Sequence, residues 1–150
     1  MTPAWVTGQT QTTYDRFQKL SWTIGPYLRF DDRQGYVGNL YLCMATGGSS
    51  RSEYLLDVEN DSREPAHFTS AASMTGESLP SQQVGESVSP PRTPGNHDDV
   101  LYRQKVRVTL TKDLLLSCQS SGLTVRLYGQ QRNLDVTIPA GYIQGFLQKS

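Results

Sequence analysis

The carboxy-terminal third of the chain, residues 100–150, constrains the fold most, because its apolar residues recur with two different periods in quick succession. From Val100 to Leu110 they fall on every second position: Tyr102, Val106, Val108 and Leu110 share one face, while Arg103, Lys105 and Arg107 share the other. Period two is the signature of a half-buried strand. In Leu123–Gly129 and Leu134–Ile138 the same alternation returns twice, separated by a short polar stretch, which predicts a hairpin. A four-residue loop at 130–133 would set Leu127 opposite Val136 and Val125 opposite Ile138 on the core side. Tyr128 would then meet Asp135, and Arg126 would meet Thr137, on the outside.

Between and after these strands the period lengthens. Thr111 stands where a helix N-cap belongs, Asp113 complements the positive end of the helix dipole, and Leu114, Leu115 and Cys118 fall on one helical face. Gly122 suits the residue just past the end, so the pattern predicts a helix near residues 112–121. Pro139 opens a second helix, on which Tyr142, Ile143, Phe146 and Leu147 line one side. Gly141 and Gly145 each cost about 1 kcal/mol relative to alanine in a helix interior, so this helix depends on docking against the rest of the protein.

The first third reads as strands. Leu20, Trp22 and Ile24 alternate with polar residues, Gly25-Pro26 interrupts, and Leu28 and Phe30 resume. Asp31-Asp32-Arg33-Gln34-Gly35 is rich in turn formers and predicts a hairpin into Tyr36–Ala45. That segment is apolar on both faces, with Tyr36, Leu40, Leu42 and Met44 on one and Val37, Tyr41 and Cys43 on the other, as in a central strand covered on both sides. Gly47-Gly48-Ser49-Ser50 reads as a turn, after which Tyr54, Leu56 and Val58 alternate with Leu55 and Asp57. From about Thr69 to Asp99 the composition shifts to serine, glycine and half of the eight prolines, without an aromatic residue. Such a stretch buries little apolar area against its ordering entropy and reads as a long mobile insertion.

These elements add up to one α+β domain spanning residues 1–150: an antiparallel sheet of about six or seven strands, a short helix, and a carboxy-terminal helix packed on one face. A chain of this length buries about 68–70% of its unfolded surface, so no cofactor is required for stability. Fourteen Lys and Arg balance fourteen Asp and Glu, and this neutrality argues against a nucleic-acid partner. Apolar runs of a few residues are far shorter than a transmembrane helix needs. Met1-Thr2-Pro3 fits either a natural start or a trimmed secreted sequence. Cys43 and Cys118 have no CxxC spacing and no neighbouring histidine, which argues against zinc and leaves two buried thiols or one disulfide.

Recognisable catalytic patterns are missing. There is no GxSxG, and the histidines, His67 and His97, lie in or near the polar middle section. The acidic run Asp57, Glu59, Asp61, Glu64 lacks the glycine and late glutamate of a calcium loop and reads as a solvated strand end. His97-Asp98-Asp99 reads as a polar loop end, and Gly47-Gly48 has neither the lysine nor the helix of a phosphate loop. The directional feature is the basic stripe Arg103, Lys105, Arg107, extended by Arg126, a candidate contact surface for an acidic protein or a phosphate-bearing ligand. The leading expectation is a non-catalytic binding or scaffolding domain. A small enzyme whose site converges only in three dimensions is the alternative from another class. Arg103-Gln104-Lys105-Val106-Arg107 also has the RxxxR spacing of cyclic-dinucleotide-binding PilZ domains, although the companion D/N-x-S-x-x-G element is not matched before Gly122.

The ending Val125-Arg126-Leu127-Tyr128-Gly129, Leu134-Asp135-Val136-Thr137-Ile138-Pro139 and an apolar helix resembles the close of uncharacterised bacterial envelope or lipoprotein-like domains. In those, a strand pair with an R-x-x-G step precedes a terminal helix. The resemblance covers about the last forty residues. It implies a bacterial protein of the cell envelope, with the cytoplasm as the alternative, and it carries no catalytic residues.

Overall fold

The computed structural model of the chain describes residues 1–32, 36–47, 52–89 and 100–150. In chain order they form α1 (Pro3–Gln9), β1 (Gln11–Asp15), β2 (Leu20–Ile24), β3 (Leu28–Asp31), β4 (Val37–Thr46) and β5 (Ser52–Ser62). These are followed by β6 (Phe68–Ser73), β7 (Ser78–Leu79), β8 (Ser81–Val88), β9 (Tyr102–Leu110), α2 (Lys112–Ser117), β10 (Leu123–Gly129), β11 (Asn133–Ile138) and α3 (Ala140–Lys149). The strands make two antiparallel sheets. One has seven strands in the order β1-β2-β4-β5-β9-β8, with β3 also paired to β4, and the other has four in the order β11-β10-β6-β7.

Both sheets face one core. Leu40, Leu42, Leu56, Val58, Val106 and Val108 of the large sheet join Leu123, Val125, Leu127, Val136 and Ile138 of the small one in a single buried cluster. The chain crosses between the sheets at Pro80. Its carbonyl accepts from Thr109 N at 2.8 Å, so β7 ends in the small sheet and β8 begins in the large one. Proline suits this corner, where the backbone leaves one ladder before entering the next.

The region expected to be an irregular insertion, 69–99, instead supplies most of β6 and all of β7 and β8 through Val88. Composition misleads here because these strands need few apolar side chains. Ala71, Ser73 and Leu79 point inward, and β8 is an edge strand whose residues are largely exposed. Ladder hydrogen bonds to β10 and β9 hold the backbone in place of side-chain burial. Residues 90–99, with His97-Asp98-Asp99, lie outside the described residues, as do 33–35 and 48–51 of the two expected turns.

Strand parity in the terminal hairpin is as expected, but the register is shifted by two positions, pairing Val125 with Val136 and Arg126 with Asp135. A shift of two preserves the faces, so Val125, Leu127, Val136 and Ile138 are all buried. The last pair is Tyr128 with Asn133, so Gly129 ends β10 and the loop is 130–132 rather than 130–133. A Cβ at Gly129 would crowd the carbonyls of Ala66 and Arg132, so only glycine fits where the turn begins. Thr111 caps α2 by accepting from Leu114 N at 3.1 Å. The helix stops at Ser117, several residues short of the expected end, and Gly122 takes the left-handed conformation (φ +83°) after an intervening turn.

The interruption at Gly25-Pro26 is filled from α3. There Leu42 N would otherwise lack a strand partner. It donates to Tyr142 Oη at 3.1 Å, and that hydroxyl donates to Pro26 O at 2.8 Å. A Cβ on Gly25 would overlap the Tyr142 hydroxyl, so glycine admits the tyrosine. Tyr142, Ile143 and Phe146 are completely buried in the common core. α1 is absent from the sequence expectations, although Thr2 followed by Pro3 is a helix-start signal. Thr2 caps it, Val6 is fully buried, and Thr7 Oγ1 donates to Gly145 O at 2.9 Å on α3.

Candidate binding face

The outward side of the large sheet is built by the β5–β9 register. It sets Asp57 opposite Arg107, Glu59 opposite Lys105 and Asp61 opposite Arg103. The basic stripe and the acidic run are thus two rows of one ladder. Arg103 Nε and Nη2 donate to the two oxygens of Asp61 at 2.8 and 3.1 Å, and Arg107 Nε and Nη2 donate to those of Asp57 at 2.9 and 3.0 Å. Lys105 Nζ stands 3.8 Å from Asp57 Oδ2. Asp57, Glu59 and Asp61 of the acidic run are therefore not a solvated strand end, whereas Glu64 lies beyond β5 and is exposed. Asp57 is fully buried in mid-sheet, because the long side chains on either side cover it.

Aromatic residues surround this ladder. A second, smaller apolar cluster contains Tyr41, Cys43 and Leu55, with Trp22 and Ile24 packed against it, all from β2, β4 and β5. The Arg107 guanidinium lies 5.8 Å from the Trp22 ring centre and Lys105 Nζ 5.5 Å from that of Tyr41. Tyr27 meets Tyr41 edge-on at 4.6 Å and is itself two-thirds exposed. Between Trp22, Leu55, Gln82 and Arg107 runs a cleft of about 220 Å³.

Burial governs the titrating groups here. Burial first, and then the charge of Asp57, push the Cys43 thiol up to about 12 and hold the Tyr41 hydroxyl well above its ordinary value. The hydrogen bond to Asp57 raises the Arg107 guanidinium further, so it stays charged. An acid whose folded pKa is raised favours the folded state fully below its unfolded pKa and loses that contribution as pH climbs toward the folded value. Between about pH 9 and 12 the unfolded chain therefore gives up the Cys43 proton while the folded chain keeps it. Stability should fall by about 1.4 kcal/mol per pH unit for this group alone. Urea midpoints across that range check this, and a flat profile would contradict the burial of Cys43.

Both cysteines are free thiols. Cys43 belongs to the outer cluster and Cys118 packs against the common core, on opposite sides of the large sheet, so the disulfide alternative does not hold. Arg126, expected to extend the stripe, lies apart on the small sheet, where its Nε and Nη2 reach Asp135 at 2.6 and 2.9 Å. Three of the four candidate cations are thus brought together, and the fourth is not. The two guanidinium forks of the RxxxR-like segment are engaged by carboxylates. His67 sits half-buried with φ +52° before β6. Among the described residues no group of three His, Cys, Asp or Glu side chains is placed to hold a metal ion, and no helix is long and apolar enough to cross a membrane.

Sequence reading missed Trp22, Tyr27, Tyr41 and Asp57 as parts of one surface. The signal was present: two charge triplets of opposite sign, each with period two, are what paired antiparallel strands display. A second polar cluster was also missed. Arg132, on the β10–β11 turn, donates to Asn60 Oδ1 and, at 3.4 Å, to Asp32 Oδ2, tying the small sheet to the β3–β4 end of the large one. Comparison with known proteins found no matching family model, no matching curated protein and no matching solved structure.

Proposed function

We propose that the chain is a non-catalytic binding module that holds a partner protein against the outer face of its seven-stranded sheet. The observation that carries this reading is the composition of that face. Trp22, Tyr27, Tyr41 and Arg107 stand together, and tryptophan, tyrosine and arginine are the residues that most often dominate binding energy at protein interfaces. On this reading α3 closes the inner side of the large sheet through Tyr142 and Phe146, which leaves the outer side for the partner. The ladder of Asp57, Glu59, Asp61 with Arg103, Lys105, Arg107 supplies mixed charge rather than a cationic field. That pattern suits a protein with interspersed charges better than a purely acidic chain or a phosphate group, whose natural donors here already have carboxylate partners.

The test is affinity capture with the intact chain, comparing it with Trp22→Ala and Tyr27→Ala. Loss of either ring is expected to weaken capture by about tenfold or more, as interface anchors do. Tyr27→Ala should lower the melting temperature by no more than about a few degrees, because that ring is mostly exposed and loses only its edge contact with Tyr41. Unaltered affinity in both variants, or in a variant with Arg103→Glu, would move the contact surface elsewhere.

A further inference from the structure

The turn between β1 and β2, residues 16–19, carries the most exposed apolar side chain described in the protein: Phe17 is 97% accessible. No part of the fold packs against this ring. The backbone beneath it is held in shape. Asp15 Oδ1 accepts from Phe17 N at 2.9 Å and from Gln18 N at 3.2 Å, and Lys19 closes the turn in the left-handed region at φ 55°. Arg16 and Lys19 flank the ring and are both exposed. Asp15 is the one carboxylate at the tip, and it is turned back onto the turn's own N–H groups.

We infer that this tip is an insertion knob for an anionic lipid surface. Three features fit a lipid interface together. The aromatic ring projects from a convex end. Two cations on flexible aliphatic stems can reach phosphates while the ring sinks. Two amide N–H groups at the apex are already satisfied within the turn, so the apex enters a water-poor layer without stranding them. A recess on a partner protein would also accept a ring, and the experiment below distinguishes the two. One ring and two cations give a reversible, salt-sensitive attachment rather than a permanent anchor.

The test uses the intact chain and vesicles of phosphatidylcholine with or without phosphatidylserine. Sedimentation with the anionic vesicles is expected, with much weaker sedimentation on phosphatidylcholine alone and release by salt. Phe17→Ala should reduce partitioning by roughly tenfold and leave the melting temperature unchanged. Phe17→Trp should bind as well and show a blue-shifted emission only with anionic vesicles. Trp22→Ala, on the proposed protein-binding face, should sediment like the parent chain, which separates the two readings. No sedimentation on anionic vesicles, equal sedimentation of Phe17→Ala, or indifference to lipid charge would each overturn the inference. Loss of a captured protein in Phe17→Ala without any lipid binding would overturn it too, in favour of a protein recess.

Discussion

Arg107→Met is expected to destabilise the protein by about 3–5 kcal/mol, the cost of leaving a buried charge without its partner. Asp57 has no exposed surface, and Arg107 supplies two of its hydrogen bonds. Lys105, at 3.8 Å, compensates only in part. The converse change, Asp57→Leu, should cost less, because the Arg107 side chain is 30% exposed and its guanidinium can recover water. In the double variant Asp57→Leu/Arg107→Met most of the loss should return, since an apolar pair of similar volume often matches a buried ion pair. Urea midpoints of all four proteins close the cycle. A double variant no more stable than Arg107→Met alone would mean that the pair does not act as a unit.

Gly145→Ala should also destabilise, although alanine is the better helix former by about 1 kcal/mol. A Cβ at this position would run into the carbonyl oxygen of Pro3 and stand 2.6 Å from Cβ of Val6. Both belong to the backbone or stem of α1, so relief requires moving that helix and breaking the bond from Thr7 Oγ1 to Gly145 O. Overpacking of this kind costs about 1–3 kcal/mol, occasionally more, and outweighs the propensity gain. Gly8→Ala is the matched control on α1, because nothing lies within 4 Å of a Cβ there and propensity alone should raise stability. Thermal melts of the two variants should therefore shift in opposite directions. A rise for Gly145→Ala would mean that α1 does not lie where this contact puts it.

The same glycine shows where local reasoning stops. Read along the helix, Gly145 is a penalty, whereas against α1 it is the position that lets two backbones approach. Tyr142 behaves likewise. Its apolar period marks it for burial, but its hydroxyl's role, filling a gap in a ladder a hundred residues away in sequence, depends on Gly25 and Pro26. In the candidate face the three cations of β9 were legible, because alternation on one strand is a local property. Their neutralisation by Asp57 and Asp61 was not, because it depends on which strand β9 pairs with and in what register. Trp22 reads locally as a core residue. It became part of an outer surface only when the sheet's other side was taken by the common core.

What the chain alone determined was parity: which side chains of β4, β5, β9, β10 and β11 share a face, and where α2 and α3 begin, since these follow from periods of two and 3.6 and from Thr111 and Pro139. The tertiary structure decided the division into two sheets, the ordering of residues 68–88 as strands, and the joining of acidic and basic rows into one ladder. Side-chain direction is set by the nearest few bonds of backbone. Strand partnership is set by contacts between segments tens of residues apart, whose free energies differ little from one plausible pairing to the next until the whole core is assembled.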